Sequence, residues 1–134
     1  MKIDYNFLKS ILIAMEEYKF HQIRCYDLMQ KVGVMDERHV LNEELTEKFV
    51  GHIRILGDNY FIESSDKQCN YGFESINNGY AMSNPFYRIT ANGYEFLDIL
   101  KNDTILNKIR QFAIKNAWEI GKQLLIESAK INLL

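Results

Sequence analysis

One hundred and thirty-four residues, 47% of them apolar and 25% charged, fit one globular domain rather than two. A single Pro, seven Gly and 13% aromatic content exclude a disordered or collagen-like chain, because this much apolar surface offsets the entropy of ordering. The formal charge of −2 provides no general attraction for polyanions, so nucleic-acid or membrane binding would need a local basic patch.

From the N-terminus, Asp4 is placed to cap a first helix over 4–18, in which Phe7, Leu8, Ile11, Leu12, Met15 and Tyr18 recur at three- and four-residue spacing. Cys25, Leu28, Met29 and Val32 repeat that spacing in a short second helix over 23–32, and Gly33 follows where a left-handed C-cap sits. Asn42 precedes the acids Glu43 and Glu44, suited to the positive end of a helix dipole, and Leu45, Phe49, Ile53 and Leu56 make the stripe of a third helix over 43–57. The pattern then changes: 59–64 is aromatic and β-branched enough for a strand, and Phe86-Tyr87-Arg88-Ile89 reads as its return. Residues 65–84 between them, containing Asn77-Asn78-Gly79, read as a long polar hairpin connection. Thr90 caps a fourth helix over 91–101 with Tyr94, Phe96, Leu97 and Leu100, and Asn102-Asp103-Thr104 restarts helix over 103–131, with Asn116 as the expected break. Phe61 and Phe86 are assigned to the core.

This order, three helices and then a hairpin entered directly from the third helix, resembles a winged helix-turn-helix domain. The segment from Tyr87 to Leu97 is similar to the wing-to-helix junction of such proteins: the strand ends, Thr90 caps the next helix, Gly93 permits close packing, and Phe96 with Leu97 enters the core. Met1-Lys2 with an early Asp4, the stretch from His52 to Leu56, and Gly93-Tyr94-Glu95-Phe96-Leu97-Asp98 before Asn102-Asp103-Thr104 extend the likeness to a phage- and prophage-associated family, domain of unknown function 2513. That resemblance covers nearly the whole chain but departs from the family between about His21 and Leu41 and in the polar hairpin. It implies an α+β winged helix-turn-helix with a two-stranded wing and additional C-terminal helices, in a mobile-element setting, and it supplies no catalytic residues. The expected layout is a single domain over 1–134, with a core of 1–100 and a helical extension of 101–134.

The expected activity is binding without catalysis, with duplex DNA ahead of a host protein. In winged-helix proteins the third helix enters the major groove and the wing touches phosphate, so Lys48, His52 and Arg54 with wing residues Lys67 and Gln68 are the DNA-contact candidates. Against them stand Glu43, Glu44 and Glu47 on the same helix, and backbone neutralisation supplies much of the affinity for DNA. The aromatic hairpin favours the alternative, a module that inhibits or redirects a host factor, with Tyr71 and Phe73 as contact anchors and core packing as their competing role. The C-terminal third carries six Lys and Arg against three acids, whereas residues 1–100 carry ten against fifteen. Its apolar surplus, including Trp118 and Leu125, points to a homodimer unless the helices fold back over the first helix.

His21 and Cys25 are four apart, yet no second ligand pair accompanies them, so no metal is expected. Gly72, Gly79 and Gly93 form no phosphate loop, no nucleophile turn marks Cys25 or Cys69, and no cofactor or enzymatic role follows. The first residues lack the features of a secretory signal and no stretch nears the roughly 18 apolar residues of a membrane span, so a cytoplasmic, non-membrane protein is expected.

Overall fold

The computed structural model describes residues 1–66 and 70–132. Six helices and five short strands form an α+β arrangement among these residues. Helix α1, Tyr5–Glu17, starts where Asp4 Oδ1 accepts the Phe7 N–H at 3.0 Å, and it buries Tyr5, Leu8, Ile11, Leu12 and Met15. Strand β1, Ile23–Arg24, leads directly into helix α2, Cys25–Lys31. The second helix therefore begins two residues later than its periodicity suggests, because Ile23 and Arg24 pair in a sheet. Its N-terminus is capped from a distance: the Asn84 side chain accepts the Tyr26 N–H at 2.8 Å, and the Pro85 carbonyl accepts that of Cys25 at 2.8 Å. Gly33, at φ +81°, closes the helix as expected.

Helix α3, Glu43–Asp58, is capped by Asn42 and buries Phe49, Val50, Ile53 and Leu56 on its inner side. Strands β2, Ile62–Ser64, and β5, Phe86–Ile89, pair antiparallel, with Ile62 opposite Ile89 and Ser64 opposite Tyr87. The expected hairpin pair is therefore present. Strand β1 lies on the other side of β5, giving the order β1-β5-β2. The connection between β2 and β5 is more than a polar loop: it contains a second antiparallel pair, β3 at Phe73–Ile76 and β4 at Gly79–Met82, folded against α3. The two-stranded hairpin expected from sequence is thus corrected to a three-stranded sheet plus a separate two-stranded one.

Helix α4, Ala91–Lys101, starts at Thr90, whose Oγ1 accepts the Gly93 N–H at 3.0 Å. Gly93 is needed by contact rather than conformation, since a Cβ there would stand 2.0 Å from the Phe61 carbonyl oxygen. The C-terminal helix expected over 103–131 divides into α5, Asp103–Ile109, and α6, Ile114–Asn132. The break lies at 110–113, where Tyr5 donates its phenolic proton to the Phe112 carbonyl at 2.6 Å, and Asn116 lies inside α6. Helix α6 returns over α4 and α5, placing Trp118 edge-on to Phe61 at 5.1 Å and to Phe96 at 5.9 Å, while Phe61 and Phe96 stack at 4.3 Å.

Phe61 is buried as expected, whereas Phe86 is only half-buried, with the Arg24 guanidinium 4.2 Å above its ring. The period of two in β5 turns Tyr87 and Ile89 inward instead. Among the described residues, no helix is long and apolar enough to cross a membrane.

Candidate functional site

Helix α3 carries three of the residues that sequence singled out, Lys48, His52 and Arg54, and the fold gives each of them partners within the chain. Lys48 Nζ lies 2.6 Å from Asp4 Oδ2 and 4.8 Å from the centre of the Phe7 ring, so its charge is matched inside the chain. His52 is fully buried. Its Nε2 faces the Asp4 backbone N–H at 2.9 Å, and its Nδ1 faces the Lys48 carbonyl at 2.7 Å. A backbone N–H only donates and a carbonyl only accepts, so these partners require the neutral ring with its proton on Nδ1. Burial, the largest influence, lowers the His52 pKa, against the opposing effects of the Lys48 carbonyl and the Asp4 charge.

Arg54 is also turned inward: Nη2 donates to the Phe73 carbonyl at 3.2 Å, and the guanidinium lies 5.9 Å from the Tyr80 ring centre. Of the remaining DNA candidates, Lys67 and Gln68 lie outside the described residues. What α3 leaves exposed is acidic: Glu43, Glu44, Glu47 and Asp58. Three candidate cations are consequently withdrawn from solvent, wholly or in part, while the carboxylates are not.

The hairpin candidates separate as well. Phe73 is fully buried, edge-on to Phe49 at 6.0 Å, which corrects its assignment as an exposed anchor and favours the core role. Tyr71 is half-buried, its ring lying where a Cβ on Gly57 would project, and its carbonyl accepts the Tyr87 hydroxyl. Trp118 is half-buried, edge-on to the stacked pair of Phe61 and Phe96, and Leu125 is half-buried on α6. Of the apolar surplus that suggested a homodimer, Phe112, Trp118, Leu124 and Leu125 are partly covered within the chain, where α6 packs on α4 and α5, whereas the side chains of Ile131, Leu133 and Leu134 lie outside the described residues.

A feature not singled out from sequence is the groove where the hairpin meets the start of α3. It holds about 600 Å³ and is bordered by Leu41, Glu43 and Glu47 on one side and Ile76, Tyr80 and Met82 on the other. The Tyr80 hydroxyl donates to Glu47 at 2.6 Å and holds hairpin and helix together. Its sequence signal is the two-residue spacing that places Phe73 and Ser75 on the same hairpin face as Tyr80 and Met82, which the polar residues of 65–84 obscure.

The model of one family matches residues 2–119, and it is described as hypothetical protein, DUF2513. The chain belongs to the DUF2513 family. No curated protein and no solved structure matches it. In this DUF2513 chain the Cys25 thiol is buried and pushed up to about 12, first by burial, which makes it a poor nucleophile. Cys69 lies outside the described residues, and among those described no three His, Cys, Asp or Glu side chains gather as a metal site would require.

Proposed function

We propose that this chain is a non-enzymatic regulatory protein of phage type, built on a winged helix-turn-helix scaffold, that acts by binding another protein. The scaffold reading is supported by the order α1, β1, α2, α3, β2, β5 and by a sheet in which the last of these strands lies between the other two. The single observation that carries the choice of partner is the outer side of α3. Lys48, His52 and Arg54 of that helix are engaged within the chain, while Glu43, Glu44 and Glu47 stay exposed, Glu47 with one contact to the Tyr80 hydroxyl. A duplex is held largely by neutralising its phosphates, and a row of carboxylates opposes this. A protein surface with Lys or Arg is complementary to the same row.

The test is affinity purification from the producing host with wild type and a Glu43→Lys/Glu47→Lys variant. A partner retained by wild type and lost by the variant is the expected result. Recovery of the same proteins by both would count against the acidic face.

Duplex DNA is the second reading, favoured by the strand order, because a helix in the place of α3 next to a sheet-borne hairpin is how this scaffold commonly meets DNA. Fluorescence anisotropy with genomic fragments separates the two. Selective binding of one duplex over random sequence, with a salt slope reduced in Lys48→Ala, would restore DNA as the partner.

A further inference from the structure

Strand β4 has an edge that no strand covers among the described residues, and hydrogen bonding within the hairpin shows which groups occupy it. The Ser83 N–H donates to the Gly72 carbonyl at 3.0 Å, whereas the Phe73 carbonyl turns away from β4 and accepts from Arg54. In an antiparallel ladder, bonded and non-bonded pairs alternate. The pairs Phe73 with Met82 and Ser75 with Tyr80 are therefore the non-bonded ones, and the N–H and C=O of Tyr80 and Met82 face away from β3. No other described backbone group takes them up.

Open edges are normally protected by charge, proline or a covering element. Strand β1 carries Arg24, β2 carries Glu63, and the outer edge of β3 is occupied by Arg54. Strand β4, Gly79-Tyr80-Ala81-Met82, has neither charge nor proline. Beside it runs the groove of about 600 Å³, with apolar Leu41, Ile76 and Met82 and the carboxylates of Glu43 and Glu47. Ile76 is 57% exposed, a large apolar side chain left in water at the hairpin tip.

We infer that β4 and this groove receive an extended basic segment of a partner protein, which adds as a strand to β4 and sets alternate side chains against Leu41 and Ile76 while its Lys or Arg residues meet Glu43 and Glu47. Backbone pairing supplies the affinity, and the groove selects the side chains. The inference rests on the protein-binding reading above and specifies its site and the chemistry of its occupant.

A fluorescein-labelled decapeptide of alternating Lys and Val is the probe, titrated into the full chain by anisotropy and by ¹⁵N NMR. Saturable binding is expected, with amide shifts concentrated at Tyr80, Met82 and the first turn of α3. Affinity should fall about tenfold when alternate peptide nitrogens are methylated, because the strand then lacks its donors, and about tenfold in Glu43→Gln/Glu47→Gln. Both glutamines are isosteric, and the amide oxygen at position 47 can still accept from the Tyr80 hydroxyl, so the fold is retained, and the NMR spectrum reports it directly. Equal affinity for the methylated peptide, shifts confined to another face, or no binding would overturn the strand-addition site. Each of these leaves the protein-binding reading standing if the purification above still yields a partner sensitive to Glu43→Lys/Glu47→Lys; absence of such a partner overturns that reading itself.

Discussion

His52 shows how a residue chosen for its charge can act through neutrality. Its ring joins the Asp4 N–H to the Lys48 carbonyl and thereby fastens the start of α1 to α3, with Phe7 edge-on at 5.2 Å. Protonation would set two donors, the ring Nε2–H and the Asp4 N–H, against each other. The folded pKa lies below the ordinary 6.5, burial being the main cause, so unfolding takes up a proton in acid. The stability contributed by the neutral ring is therefore complete above pH 6.5 and lost as pH falls through the lowered folded value. Thermal midpoints should drop on that acid limb in wild type, and His52→Gln, which can still accept from Asp4 and donate to Lys48, should flatten it. Long-range ¹⁵N spectra offer a second reading of the same point, with the proton expected on Nδ1; titration at the ordinary value would contradict the latch. Asp4 acts lower on the scale: its pKa is lowered because the Lys48 and Phe7 contacts outweigh burial, so its contribution is lost only as pH falls below 3.8. Arg54 carries a similar lesson. Arg54→Ala should cost about 1–2 kcal/mol in denaturant titrations, since it removes the donor to the Phe73 carbonyl, and a variant of unchanged stability would contradict that role.

At the level of elements, two joints hold the C-terminal half on the rest. The first is Gly93 against the Phe61 carbonyl, which also accepts the Thr90 N–H at 3.0 Å. Gly93→Ala pushes a methyl into backbone, which cannot move aside as a flexible side chain could, and should cost about 3 kcal/mol, measured by chemical denaturation. Gly57 provides the contrast: the atoms nearest a new Cβ are the outer part of the Tyr71 ring, so Gly57→Ala should cost less than Gly93→Ala. The second joint is Trp118 on Phe61 and Phe96, and Trp118→Ala should cost about 3 kcal/mol while loosening α6 first, visible as faster amide exchange in Ile114–Asn132. The start of α4 was legible because Thr90 and Gly93 act on their own local segment. The hairpin of Phe73–Ile76 and Gly79–Met82 was not, because its two strands are four residues each, with two residues per strand on a face, among polar neighbours, and only the presence of α3 tells which face is buried.

For the molecule as a whole, charge and association follow from how the helices are laid down. Light scattering at micromolar concentration should give a mass near 15.8 kDa, because Trp118 is engaged within the chain and Ile126 is the only large apolar side chain of α6 that is markedly exposed among the described residues. A doubled mass lost in Leu125→Asp would return the dimer. The acidic side of α3 belongs to the same scale. Its sign depends less on the residues of that helix, where Lys48 and Arg54 stand among Glu43, Glu44 and Glu47, than on Asp4 and Phe73, brought in from other elements to take up those two cations.

Local pattern in the sequence suffices for the α+β class, for the capped helix starts at Asp4, Asn42, Thr90 and Asn102, and for the pairing of the stretch 59–64 with 86–90, within which 62–64 and 86–89 are strand, because caps and periodicity act over a few residues. Family membership was legible for a different reason, through motifs spread along residues 2–119. Tertiary structure alone decided the rest: the burial of His52, the inward turn of Arg54, the second hairpin on α3 and the break at 110–113. Each of these depends on a partner far along the chain, Asp4 for His52, Phe73 for Arg54, Phe49 for Phe73 and Tyr5 for Phe112, and no local pattern of charge or hydrophobicity specifies which distant group will arrive.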